Sequence, residues 1–147
     1  MKLKSLKEKK FITIGEKRSI PYGLGMIKDF HYGDWLCLVE GEKDRDTMAQ
    51  IYPNVVATST AGAGSVMREV LMKVTNRFIC FYDNDDSGDA AFFRDRKRFV
   101  NCQFIRGEHP RDCKDVGTIS DLLFKGDSFN SEYLTTFYKM QIDGILG

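Results

Sequence analysis

Four short apolar runs alternate with helical stretches along this chain, and that alternation limits its folds more than any other feature. "WLCLVE" (Trp35–Glu40), "NVVAT" (Asn54–Thr58), "RFICFYD" (Arg77–Asp83) and "NCQFIR" (Asn101–Arg106) read as strands. Runs this uniformly apolar belong to strands covered on both faces. Between them, "KDRDTMAQI" (Lys43–Ile51) reads as a helix stopped near Pro53. "GSVMREVLMKV" (Gly64–Val74) sets Val66, Met67, Val70, Leu71 and Val74 on one helical stripe. "SGDAAFFRDRKRF" (Ser87–Phe99) carries acids early and bases late, which suits the helix dipole. "GTISDLL" (Gly117–Leu123) and "SEYLTTFYKMQI" (Ser131–Ile142) read as closing helices. Such an order predicts an α/β fold: a mainly parallel four-stranded sheet flanked by helices. Right-handed crossovers then bring the strand C-termini to one edge, where ligands bind in sheets of this kind.

The rest of the chain sets bounds. Its 147 residues, 42% hydrophobic, suffice for one globular core. No apolar run is long enough to span a bilayer, so no membrane role is expected. The lysine-rich start has no apolar stretch behind it and does not read as a signal peptide. Cys37, Cys80, Cys102 and Cys113 are widely and irregularly spaced, which argues against zinc and for free thiols in a reducing, cytoplasmic compartment. "FITI" (Phe11–Ile14) reads as a short strand, and "SIPYGLGM" (Ser19–Met26) as extended or turning around Pro21. The net charge is +1, but residues 1–18 hold seven basic residues against two acidic ones, leaving fifteen against nineteen elsewhere. A basic arm with Lys9, Lys10, Lys17 and Arg18 on an acidic body suits either a polyanion such as DNA or RNA, or a solubilising tail.

Two of the strands end in acids. "LVEGEKDRD" places Glu40 at the tip of the first, with Gly41 turning away. "FYDNDDSGDAA" places Asp83 at the tip of the third, and Asp85 can point to the same side. If these strands are neighbours, Glu40, Asp83 and Asp85 meet at one sheet edge and need a cation. Oxygen ligands without His or Cys favour a hard ion, Mg²⁺ or Mn²⁺, which completes its shell with water and phosphate oxygens. The competing reading is structural: "DNDDSG" before a helix is also a good N-cap and turn.

Together, "VEGEKD" and "FYDNDDSGDAA" resemble the Toprim domain of primases, topoisomerases and related nucleases. Glu40 and Gly41 match its Glu-Gly, Asp44 an acid often found behind it, and Asp83 and Asp85 its Asp-x-Asp. Gly88 with Ala90 and Ala91 matches the small residues opening the next helix, and "STAGAGS" (Ser59–Ser65) a small-residue loop. "CKDVGTISDLL" (Cys113–Leu123) resembles the Lys-Asp segment of primase Toprims, and "PYGL" (Pro21–Leu24) a segment preceding them. The closest branch is bacterial and phage DNA primase. The resemblance covers Gly33 to Leu123. It implies a Rossmann-like Toprim domain over residues 33–125, a basic N-terminal extension at 1–32 and a C-terminal helix at 126–147.

The resemblance also implies roles. Asp83, Asp85 and Asp115 would hold Mg²⁺, with Glu40 as general base or acid or as a further ligand. Lys114, beside Asp115, would contact a phosphate. The implied activity is Mg²⁺-dependent nucleotidyl transfer in DNA replication, on nucleotides and nucleic acid. The short extension and the missing zinc ligands suggest a subunit needing a replication partner protein, a remnant of a phage or mobile element, or a fragment of a longer protein. Two alternatives stay open: a small Toprim nuclease cutting structured RNA or DNA, and a non-catalytic nucleic-acid-binding module. Phe92, Phe93 and Phe99 are expected in the core, and His31 and His109 imply no metal site.

Overall fold

A computed structural model describes residues 20–58 and 65–147. Phe11–Ile14, the arm with Lys9, Lys10, Lys17 and Arg18, and nearly all of the 59–65 loop lie outside the described residues. The order is β1 (Trp35–Val39), α1 (Glu42–Met48), β2 (Val55–Ala57), α2 (Ser65–Val74), β3 (Arg77–Cys80), α3 (Asp86–Arg98), β4 (Gln103–Arg106), α4 (Thr118–Phe124) and α5 (Ser128–Leu146). A short 3₁₀ turn at Leu24–Met26 precedes them.

The four strands form one sheet in the order β2-β1-β3-β4, and every pairing is parallel. Alternation of side chains sorts the strands into two cores. Cys37, Val39, Ile79 and Phe81 face a layer that includes Met48 of α1, Ile119 of α4 and Leu134, Tyr138 and Ile142 of α5. Leu36, Leu38, Phe78 and Cys80 face Met67 and Leu71 of α2 and Phe92 of α3. Burial of both faces explains why the strands read as unbroken apolar runs.

The helices lie on opposite faces because the chain changes direction. It steps from β1 outward to β2, then crosses back over β1 to β3 and on to β4. Right-handed crossovers in opposite directions put α1 on one face and α2 and α3 on the other. The reversal leaves a crevice between the C-terminal ends of β1 and β3, the place where ligands enter doubly wound sheets.

Some boundaries differ from the sequence reading. The third strand ends at Cys80 rather than Asp83, although Phe81 N–H still donates to the Leu38 carbonyl (2.8 Å). The last helix starts three residues early because Asp127 caps it, accepting from Asn130 N–H (3.1 Å). Phe92 and Phe99 are buried as expected, but Phe93 is 56% exposed: it follows Phe92 on the helix and points outward. Among the described residues, no helix is long and apolar enough to cross a membrane.

Candidate metal centre

β1 and β3 are direct neighbours, so their C-terminal tips come together. The Asp83 N–H donates to Glu40 Oε2 (2.8 Å), which joins the two acid-bearing loops across the crevice. The carboxylates of Asp44, Asp83 and Asp115 each bring an oxygen within 4.8 Å of the other two.

Each member reaches the cluster for a local reason. Asp44 sits in the first turn of α1, whose N-cap is Gly41. Its carboxylate accepts from Gly117 N–H (2.8 Å), and the Gly41 backbone also supports it, in the manner of a capping box. Only 8% of Asp44 is exposed. Asp83 leaves the end of β3 in a turn packed against α3. A Cβ at Gly88 would lie 1.9 Å from the Asp83 carbonyl oxygen, so this glycine is what lets α3 begin there. Asp115 is brought in from the far end of the chain by Asn84. The Asn84 N–H donates to the Lys114 carbonyl (2.6 Å), and its Nδ2 donates to the Cys113 carbonyl (3.0 Å). Gly117 is needed too, because a Cβ there would meet Asp44 Oδ1 at 2.7 Å.

A half-buried histidine steadies the same loop. His109 Nε2 lies 2.8 Å from the Tyr82 carbonyl, which can only accept, so Nε2 carries the proton. Nδ1 then accepts from the Tyr138 hydroxyl (2.7 Å). Burial lowers the His109 pKa and favours this neutral form.

The electrostatics are those of an unneutralised site. Partial burial, then repulsion from Glu40, Asp44, Asp115 and Asp85, raises the Asp83 pKa to about 7. Burial and Asp115 also raise that of Asp44. Asp83 Oδ1 is buried without a hydrogen-bond partner. An orphaned carboxylate oxygen beside two more carboxylates, with no His or Cys, fits a hard divalent cation.

Not every residue singled out from the sequence joins this triad. Asp85 is the N-cap of α3, and its Oδ1 accepts from Gly88 N–H (2.7 Å), as the capping alternative expected. It stays close enough to Asp83 to raise that group's pKa. Glu40 is bonded to the Asp83 backbone and lines the crevice on the α3 side. Lys114 is exposed and makes no ion pair with a described residue. Asp44, taken from the sequence only as a supporting residue, is the most buried member of the triad. Asn84 and Gly117 were not singled out at all. Asn84 between two aspartates looks like turn chemistry, and its cross-chain bonds have no local signature.

No family model and no curated protein matches the sequence. Solved structures similar to it include two primase fragments. One is the primase fragment of the bacteriophage T7 primase-helicase protein, at 17% identity and a TM-score of 0.48, covering 71% of this chain and 45% of that one. The other is the DnaG primase catalytic domain bound to ssDNA, at 20% identity and a TM-score of 0.47, covering 76% and 39%. This chain therefore spans less than half the length of either. What either protein does is not carried over by likeness at this level.

Proposed function

We propose that this chain is a primase-like Toprim protein that carries out Mg²⁺-dependent nucleotidyl transfer on nucleic acid. The observation that supports this most is the convergence of Asp44, Asp83 and Asp115, with Asp83 Oδ1 buried and unpartnered, at the crevice between β1 and β3. Asp44, Asp83 and Asp115 would hold the ion, with the Asp85 carboxylate adding negative charge beside them. Bound there, Mg²⁺ supplies charge neutralisation for phosphate oxygens in an in-line displacement. Glu40, oriented by the Asp83 N–H, takes the proton from an attacking hydroxyl or delivers one to the leaving oxygen. Lys114, exposed beside Asp115, offers its ammonium to a neighbouring phosphate. The basic residues Lys9, Lys10, Lys17 and Arg18 would add nonspecific attraction for the DNA or RNA backbone. A replication partner protein belongs to the same reading, acting with this chain in starting a primer.

The test combines end-labelled single-stranded DNA or structured RNA, ribonucleotides and Mg²⁺ or Mn²⁺, with Glu40→Gln as control. Longer labelled products that disappear in the control are expected. Shorter fragments that disappear in the control would make the protein a nuclease instead. No metal-dependent product at all, with binding intact, would leave a non-catalytic binding module.

A further inference from the structure

On the α3 side of the same crevice lies an open cleft of about 630 Å³, lined by Glu40, Thr58, Tyr82, Ser87 and Arg94 among others. At its wall stands an arrangement that the triad does not explain. Asp95 is a carboxylate only 2% exposed, inside the layer between α3 and the sheet. The Tyr82 hydroxyl donates to its Oδ2 (2.7 Å). Arg94 grips it with two donors, Nε to Oδ1 (3.1 Å) and Nη2 to Oδ2 (3.3 Å). The Arg94 side chain is still 42% exposed, so the outer edge of its guanidinium opens into the cleft.

A buried ion pair seldom adds net stability, because desolvation offsets the attraction, and an apolar residue at position 95 would pack more cheaply. What the pair does achieve is to fix a guanidinium fork that would otherwise sample many rotamers. Among the described residues lining the cleft, Arg94 is the one cationic side chain, and Glu40, which lines the same cleft, links it to the acid triad through the Asp83 N–H. A ligand suited to both sides carries negative oxygens toward the arginine and shares a cation with the acids.

We propose that Arg94 is a phosphate-binding residue, with Asp95 and Tyr82 as its positioning residues, and that the cleft receives a phosphate group of a nucleotide. This rests on the nucleotidyl-transfer reading of the neighbouring triad. The phosphate comes either from a free nucleoside triphosphate or from the backbone of a polynucleotide. Arginine suits both, since its planar donors match two phosphate oxygens at once.

Two binding measurements on the full chain distinguish the sources. The first follows a labelled single-stranded oligonucleotide by fluorescence anisotropy in EDTA, over a range of salt. The second follows ATP by calorimetry with Mg²⁺ present. Arg94→Ala is expected to weaken binding roughly tenfold. Arg94→Lys keeps the charge without the fork and should fall between. Tyr82→Phe, which leaves Asp95 without its hydroxyl partner, should weaken binding less than Arg94→Ala while changing KM more than kcat. A loss on the oligonucleotide, with the salt slope reduced by about one, identifies the polynucleotide backbone as the source. A loss on ATP alone identifies the nucleotide. If folded Arg94→Ala binds both like the parent, the proposal is wrong. Glu40→Gln keeps the two questions apart: it should make no product, yet should still lose affinity when Arg94→Ala is added to it. Full activity in Glu40→Gln would sink the catalytic reading while leaving phosphate binding at Arg94 intact.

Discussion

The middle of the sheet and its C-terminal edge are built on opposite terms. In the middle, Leu36, Leu38, Phe78 and Ile79 are fully buried among apolar neighbours, on strands paired in parallel register. Burial of such a side chain contributes roughly 1.5–3 kcal/mol. A few residues further along the same strands, acids are gathered within a few ångströms and one buried oxygen has no partner. The edge is unfavourable in isolation, and the interior has the stability to hold it in place. A sheet that satisfies itself everywhere except at the crevice is prepared for something that arrives with positive charge.

The contrast can be broken first from the interior. Phe78→Ala removes a ring packed edge-on against Phe99 and should cost about 3–5 kcal/mol by denaturant unfolding. The loss should be the same with and without Mg²⁺, because nothing at the edge changes. Gly88→Ala acts at the junction of the two regions. Its methyl would collide with the Asp83 carbonyl, so a cost of about 1–3 kcal/mol is expected together with weakened metal binding.

At the edge itself, pH is the sharper tool. Asp83 has a folded pKa of about 7 against an ordinary value of 3.8. Between these values the folded state keeps a proton that the unfolded state has released, so raising the pH favours unfolding. Melts in chelator should therefore lose stability from about pH 4 to pH 7, by about 1–2 kcal/mol once solvent screening is allowed for. This group adds no further loss at higher pH. Asp83→Asn should flatten that slope, whereas a slope unchanged in the variant would place the repulsion elsewhere. Asn84→Ala is the mildest change. It removes the bond to the Cys113 carbonyl and should cost about 1 kcal/mol, with a larger proportional loss in Mg²⁺ affinity as Asp115 drifts from Asp83.

The interior was legible in the sequence because its signal is local. A strand buried on both faces writes itself as a run such as "WLCLV", and α2 as an apolar stripe, so the α/β order and the parallel sheet followed directly. The meeting of the Glu40 and Asp83 loops followed too, since it needed only that two strands be neighbours. What stayed hidden depended on cross-chain geometry. Asp44 read only as motif support, because the Gly117 N–H that donates to it lies far along the chain. The last helix read only as a closing helix, but its Tyr138 runs from the core to His109 and so supports the Asp115 loop. Phe93 was misplaced because "FF" in a helix puts its two rings some 100° apart, and only one of them can face the sheet.

The most direct measurement is thermal unfolding at pH 8 across a Mg²⁺ titration, for the parent and for Asp83→Asn. The account predicts that the parent gains stability with Mg²⁺, reaching about 2.7 kcal/mol at a hundredfold excess over Kd. It also predicts that Asp83→Asn starts more stable in chelator and gains little. A parent indifferent to Mg²⁺, or a variant that gains as much as the parent, would contradict the claim that Asp44, Asp83 and Asp115 form a metal centre.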